Sequence, residues 1–599
     1  MGSPEVLAKR RDLRDFTTDA RLLPMTAMAL VIGAMSACLA YVLVWLIGSI
    51  TNLVYYHRLS STLVSPAANT LGWWAVLVPM VGGLVVGLMA RYGSERIRGH
   101  GIPEAMEAIL IGRSRMDAKV AVLKPISSAI SIGTGGPFGA EGPIIMTGGA
   151  FGSLFAQAFH MSSAERKTLL VAGASAGMAA IFATPVAALL VAVELLLFEW
   201  KPRSFVPVAA ACVVAYLLRL PLLGAAPIFP VAQHEVLNGS ELGVALAVGV
   251  IAGLGSAGLT ALVYGAEDIF TKLPFHYMWW PVIGGAVVGI GGLLQPRALG
   301  VGYDTIRDLL SGHMIGAFVL GLLVTKAVIW SIALGSGTSG GVLAPLLIMG
   351  GALGAIEGRW LPVGDPALWA MISMAAMMGG TMRSPLTAIA FLLELTHDVE
   401  LLPGLLVGCV AAHAVTVLLM KRSILTEKVA RRGYHVLREY TVDPFETMRI
   451  SEIMAQPVDT LPDDTTVGEA VTFFTTRGAT PRHKSYPVIR GDSTIAAMVA
   501  RADALLWTVE TPPSDKPLTE QLAGQELVTA YEDELVGRVA DRMAETGVGR
   551  VPILRRGTDA LVGIVARRDL LRVRASVLRQ ERERETLISL PGRRRSAAR

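Results

Sequence analysis

One carboxylate in this chain stands where it could act on ions. Glu141 lies within residues 133–143, GTGGPFGAEGP, a run of glycine and proline set deep in apolar sequence. Glycine and proline this dense cannot continue a helix, so the backbone must break. In hydrocarbon a broken backbone persists only where protein buries it or where it lines a water-filled cavity. Residues 144–155 are apolar with small side chains and read as a new helix. Glu141 therefore falls at or near a helix N-terminus at membrane depth, where free N–H groups favour anions. An ionised side chain there competes with any permeating anion for the same donors, which is the logic of a gate. The plain alternative is a loop outside the membrane with an incidental glutamate. It is disfavoured because an ionisable group at membrane depth is functional by default, and because the device occurs twice.

The second copy is GSGTSGGVLAP at residues 335–345, about 200 residues later. Lys124 matches Lys326, each the same distance before its glycine run. Thr184-Pro185 running to Glu194 matches Ser384-Pro385 running to Glu394, and Gly99-His100-Gly101 matches Gly300-Val301-Gly302. Paired broken helices in two halves predict a duplicated transporter fold with its site at the bilayer midplane. Glu141 corresponds to Leu343, so only one half carries the carboxylate and the site is asymmetric.

These elements sit in a chain of 599 residues, 52% hydrophobic and 17% charged, with mean hydropathy +0.53. That composition predicts a membrane protein with soluble parts attached. Residues 1–24 carry Lys9, Arg10, Arg11, Arg14 and Arg21 and read as a cytoplasmic segment; no cleavable signal is expected. Residues 25–434 read as the membrane domain, in halves of about 25–223 and 242–434. The first apolar run, 25–55, is longer than the ~20 residues of a straight span and predicts a tilted helix. Several later segments are shorter than a span, as a channel or transporter core requires. Cys38, Cys212 and Cys409 all lie in apolar segments and read as packing residues, not a disulfide framework or metal site. The net charge of +5 comes largely from the termini and implies no nucleic-acid partner. Beyond residue 443 the chain is mixed α/β with a second repeat, SYPVI and RVPIL each leading through a turn and a second β run to a helix start that carries an aspartate, Asp503 or Asp569. The basic tail, 581–599, is expected to be disordered.

These motifs resemble the CLC family of chloride channels and chloride/proton antiporters, followed by a CBS pair, over nearly the whole chain. Gly99-His100-Gly101-Ile102-Pro103 looks like the family's G-S-G-I-P, Gly139-Ala140-Glu141-Gly142-Pro143 like its G-R-E-G-P, and Gly341-Val342-Leu343-Ala344-Pro345 like its G-x-F-x-P. The resemblance implies a polytopic α-helical membrane protein with an inverted internal repeat of broken, tilted helices and a C-terminal α/β pair, CBS modules at 443–510 and 523–576. It implies a homodimer through the membrane domain and CBS pair, one pore per subunit, in the bilayer of the cell (inner) membrane. The N-terminus and CBS modules would be cytoplasmic and Glu141 the gate. Lys124 and Lys326 are expected to carry vestibule charge, with a lysine snorkelling to the interface as the alternative. Asp503 and Asp569 match an aspartate that often holds an adenine nucleotide's ribose. Ala500 and Ala566 stand where a hydroxyl residue is usual, which favours a structural, dimer-stabilising pair. No cofactor is required; chloride is the substrate.

Four departures matter. His100 replaces the serine that helps hold the central anion, and either donates to the anion or caps the short helix that follows. Ala140 replaces an arginine. Leu425 is the best match to a tyrosine that meets the central anion. Leu195 stands where antiporters place an inner proton-relay glutamate, and leucine carries no proton. The sequence therefore favours a passive chloride channel; the alternatives are a chloride/proton antiporter or a channel for another anion, such as nitrate or fluoride. Glu107, Glu194 and Glu199 remain as other proton routes. Glu194 and Glu394 read as structural carboxylates on backbone amides, at a subunit interface or a broken helix end. CBS pairs also accompany magnesium transporters and intramembrane metalloproteases. The first needs an acidic, oxygen-rich pore and the second an H-E-x-x-H motif; neither is present in this sequence, and no enzyme is expected.

Overall fold

The computed structural model describes residues 20–225, 228–312, 314, 316–434, 444–475 and 483–582. The basic residues before Arg21 and the tail beyond residue 582 lie outside the described residues. The chain divides into two units, one running to Gly433 and the other Tyr434–Glu581.

The first unit is helical. Its first half contains α1 Leu22–Tyr56, α2 Leu77–Tyr92, α3 Ile102–Leu110, α4 Ala118–Gly133, α5 Glu141–Gln157, α6 Ser163–Phe182, α7 Pro185–Val191 and α8 Pro202–Leu223. A π-turn, Ala192–Leu197, continues α7. The second half repeats the order: α9 Gly239–Thr271, α10 Trp280–Leu294, α11 Tyr303–Leu310, α12 Ala317–Gly335, α13 Leu343–Gly358, α14 Pro366–Met382, α15 Pro385–Thr396 and α16 Leu402–Leu419. A last helix, α17 Ile424–Arg431, follows. Seven helical segments among the described residues are long and apolar enough to cross a membrane, and α7 with its π-turn, α13 and α15 are shorter apolar pieces. This is a polytopic membrane fold of uneven, broken helices.

Small residues set its packing, because lipid offers no hydrophobic drive between helices and close approach must supply the contact energy. A methyl group built on Gly83 of α2 would fall 2.2 Å from the Pro281 carbonyl oxygen of α10, and one on Gly285 of α10 would fall 2.3 Å from the Pro79 carbonyl of α2. The two halves thus meet through the same contact read in both directions. Within the first half, Gly148 of α5 and Gly173 of α6 touch backbone to backbone, each methyl position lying 2.1–2.2 Å from the other's carbonyl.

The second unit holds two three-stranded sheets of one design. In the first, β1 Leu461–Pro462 runs parallel to β2 Ser485–Ile489, which pairs antiparallel with β3 Ile495–Ala500 in register Tyr486 to Val499. In the second, β4 Ala530–Tyr531 runs parallel to β5 Arg550–Leu554, which pairs antiparallel with β6 Leu561–Ala566 in register Val551 to Val565. Each sheet buries its own core, one around Phe474, Tyr486 and Trp507 and the other around Val536, Val551 and Ile553.

Candidate functional site

The breaks that glycine and proline impose in the sequence come together in space. Gly341 N–H donates to the Gly139 carbonyl at 2.9 Å, and Gly99 N–H donates to the Thr338 carbonyl at 3.2 Å. Gly99 and Gly101 hold φ of +89° and +90°, a region that L side chains avoid. A methyl on Gly142 would lie 1.9 Å from the His100 carbonyl oxygen, so this chain crossing admits only glycine. Ser128 and Ser127 of α4 reach Ser339 Oγ at 2.7 and 3.3 Å and tie the first-half helix to the second-half break. Pro103, Pro143 and Pro345 fall in the first turns of α3, α5 and α13, where a missing N–H costs no helix bond.

Glu141 is the first residue of α5 and fully buried. Its Oε1 accepts the backbone N–H of Leu343, the first residue of α13. Its Oε2 has no hydrogen-bond partner among the described residues. The carboxylate of one half thus sits on the helix N-terminus of the other, at the very position that matches its own in the repeat.

Beside Gly99 opens a cavity of about 580 Å³, lined in part by His100, Tyr264, Arg98, Lys428, Arg431 and Arg432. His100 is 3% exposed and its Nδ1 has no hydrogen-bond partner among the described residues. It does not cap α3: Glu104 does, its Oε2 accepting the Gly101 N–H at 2.9 Å. Leu425, in α17, is buried and offers no hydroxyl. The hydroxyl near this point belongs to Tyr264, which donates to the Ile424 carbonyl. Tyr264 was not legible as a site residue, because a lone tyrosine in the apolar α9 carries no motif. Lys428, 2.8 Å from Glu104 Oε1, and Arg432, 3.6 Å from the same oxygen, were also missed. Their signal was an i, i+4 pair of cations at the end of the membrane unit.

Residues 82–417 match the family model described as voltage gated chloride channel, and residues 450–510 and 520–576 each match the CBS domain. The chain belongs to the voltage-gated chloride channel family. Among relatives, the voltage-gated ClC-type chloride channel ClcB of Escherichia coli O81 (strain ED1a) is 30% identical over 390 residues, covering 63% of this chain and 93% of its own. The ClcB of Shigella flexneri is 29% identical over the same coverage. Solved structures share the fold. A eukaryotic CLC transporter aligns with TM-score 0.60 at 17% identity, covering 92% of this chain and 98% of its own. A slow cyanobacterial Cl−/H+ antiporter aligns with TM-score 0.59 at 20% identity, covering 69% and 98%. A CLC-type fluoride/proton antiporter aligns with TM-score 0.57 at 20% identity, covering 67% and 97%.

Within this family fold, Lys124 and Lys326 depart from the expected vestibule role. Both side chains are fully buried. Lys124 Nζ donates to the Ile97 and Gly99 carbonyls at 2.8 and 2.7 Å; Lys326 Nζ donates to the Ala298 and Gly300 carbonyls at 2.8 and 3.2 Å. Each lysine clamps the bend before the short helix of its half. Neither faces a vestibule and neither snorkels to an interface, because the bends leave carbonyls that need buried donors.

Glu194 and Glu394 cap each other's helices. Glu394 accepts the N–H groups of Val186 and Ala187 at 2.9 and 2.8 Å, at the start of α7. Glu194 accepts those of Leu386 and Thr387 at 3.2 and 2.8 Å, at the start of α15. Leu195 is buried in the π-turn. Glu107 pairs with Arg432. Glu199, between the π-turn and α8, is raised by burial. Lys167 foremost, then the Ser204 hydroxyl, Lys201 and Arg203 outweigh that and hold it down at about 2. In the second unit Asp503 and Asp569 accept the Ala500 and Ala566 N–H groups at 2.8 and 2.9 Å, closing the starts of α-helices Arg501–Glu510 and Arg567–Arg582.

Proposed function

We propose that this chain is a passive chloride channel of the cell membrane, gated by Glu141. The observation that carries this reading is the Glu141 carboxylate on the Leu343 amide, with its second oxygen unpartnered among the described residues. An ionised carboxylate there fills an anion position at a helix N-terminus. Residues 99–103, 139–143 and 341–345 would line the pathway with backbone donors, His100 would donate to the anion, and chloride follows from the ClcB relatives' printed function. Lost proton coupling is supported by the fate of the alternative carboxylates. Glu194 is spent on amides, Glu107 on Arg432 and Glu199 on three cations. Without a hydroxyl at Leu425 the central site would hold its anion weakly, since a hydrogen bond to a charged group is worth about 1.5–3 kcal/mol. The CBS pair would act as a dimer-stabilising module on the cytoplasmic side, with its two aspartates closing helix starts rather than holding adenine nucleotide.

The deciding experiment is a reversal-potential measurement in proteoliposomes under opposed chloride and proton gradients. The expected reversal follows chloride alone, and a chloride gradient fails to drive protons uphill. Proton pumping at a fixed ratio would overturn the channel reading in favour of antiport.

A further inference from the structure

We propose that Lys428 is a specificity-determining anion ligand at the cavity end of the pore. Its ammonium group would supply there the charge that makes small, charge-dense anions preferred. The inference rests on the transport reading above and goes beyond it in naming the residue and the selectivity.

Four observations converge on this lysine. First, Lys428 lines the same 580 Å³ cavity as His100. Second, its nitrogen lies against the backbone beside His100: a methyl built on Gly99 would fall 1.9 Å from Lys428 Nζ. Third, Glu104 Oε1 holds the nitrogen at 2.8 Å, while Glu104 Oε2 is fixed by the Gly101 N–H at 2.9 Å. The cation is therefore pinned to the chain break and does not sweep the cavity. Fourth, His100 Nδ1, nine-tenths and more buried, faces this region without a hydrogen-bond partner among the described residues.

The contrast with Lys124 sharpens the assignment. Lys124 is fully buried and satisfied by two carbonyls. The Lys428 side chain is 16% exposed, on the cavity, and meets Glu104 Oε1 as an ion pair at 2.8 Å, while an ammonium carries three donors. The cavity wall bears five cationic side chains, Arg96, Arg98, Lys428, Arg431 and Arg432, against Glu95, Glu107 and Glu267. Of these, Arg98 is paired with Glu95, Arg431 with Asp268 and Glu427, and Arg432 with Glu107, whereas the Lys428 ammonium lies against Gly99 with its side chain open to the cavity.

The chemistry of an ammonium group sets the selectivity. Its attraction for an anion falls with distance, so a small ion gains more than a large one. Lysine is a compact point charge. A pore end built from neutral groups would instead favour anions that shed water cheaply, such as thiocyanate and nitrate. With apolar Leu425 and cationic Lys428 on the same helix, the ammonium becomes the source of preference for chloride.

The test uses the full-length protein. Lys428→Met leaves Glu104 buried beside fewer cations, which endangers folding, so the paired Glu104→Gln/Lys428→Gln variant removes both charges together, and Lys428→Arg keeps the positive one. Planar-bilayer permeability ratios of chloride against thiocyanate and calorimetric titration with bromide are measured for wild type and both variants. The paired variant is expected to lose chloride preference roughly tenfold or more and to bind bromide more weakly by a similar factor, while Lys428→Arg keeps the wild-type order. An unchanged permeability order and unchanged bromide binding in the paired variant would overturn the assignment. Absence of anion current in the wild type would fail the transport reading instead, and the bromide titration would still decide whether Lys428 is a ligand.

Discussion

At Glu141 two forces oppose each other. The helix N-terminus and the Leu343 N–H favour the charged carboxylate, and burial favours the neutral acid. In the proposed gate the charged form occupies the donors, and the protonated form loses its hold on them and swings aside. Flux is therefore expected to rise as pH falls, and to rise with chloride by competition. Glu141→Gln should raise flux at neutral pH and flatten its pH dependence in stopped-flow efflux assays. If that variant keeps the full pH response, the gate is another group, and His100 is the first to test. The lysines of the repeat make the opposite prediction. Lys326→Met removes the donor from the Ala298 and Gly300 carbonyls, so it should lower the melting temperature in detergent, by the equivalent of about 1–3 kcal/mol, with the anion order unchanged. A changed anion order in a stably folded variant would return Lys326 to the pathway. Glu141 was legible in the sequence because glycine and proline around it can do only one thing at membrane depth. The lysines were misread because their partners are bare carbonyls, which no sequence pattern marks.

The element scale is ruled by helix ends. α7 and α15 both begin with proline after Thr184 or Ser384, and neither hydroxyl residue caps its own helix by a side-chain bond. The carboxylates of the opposite half do so, Glu394 for α7 and Glu194 for α15. The repeat spacing showed that these glutamates were equivalent and structural, but not that each crosses to the other half, since that follows from how the halves pack. Glu394→Ala strands two amides and should cost about 1–3 kcal/mol for each donor left unsatisfied in an apolar setting, read as a lower thermal unfolding temperature with selectivity intact. A second element-end staple is Glu199, whose carboxyl is held near 2 against burial by Lys167 of α6, Ser204, and Lys201 and Arg203 at the start of α8. A depressed carboxylate stabilises the fold fully above its unfolded value and loses that contribution as pH falls through its folded one. Glu199→Gln should therefore lower the melting temperature at pH 7, and the gap to wild type should close as pH falls from about 4.5 towards 2. A gap that stays constant across that window would show that the network adds nothing through charge.

At the scale of the molecule, the repeat, the broken helices and the α/β pair were all readable, because each rests on local composition or on spacing within the chain. What the chain does with its outer faces was not readable, since apolar residues face lipid, neighbour helices and partner subunits alike. The structure narrows this at one surface. Val186 and Leu386 are 54% and 49% exposed at the starts of α7 and α15, and their N–H groups carry the Glu394 and Glu194 carboxylates. Carboxylate–amide pairs at the rim of an apolar face are costly against hydrocarbon, whereas a second copy would cover them along with the apolar side chains. This face is the expected contact of the proposed homodimer. Full-length protein in mild detergent should show twice the 63.4 kDa chain mass by light scattering. Val186→Glu with Leu386→Glu puts new carboxylates against the existing ones, which like charge and burial both oppose, and should shift the mass to the monomer value while each subunit keeps its own pore and its anion order. A double variant that stays dimeric would move the contact to another face and leave these pairs to the lipid headgroup region.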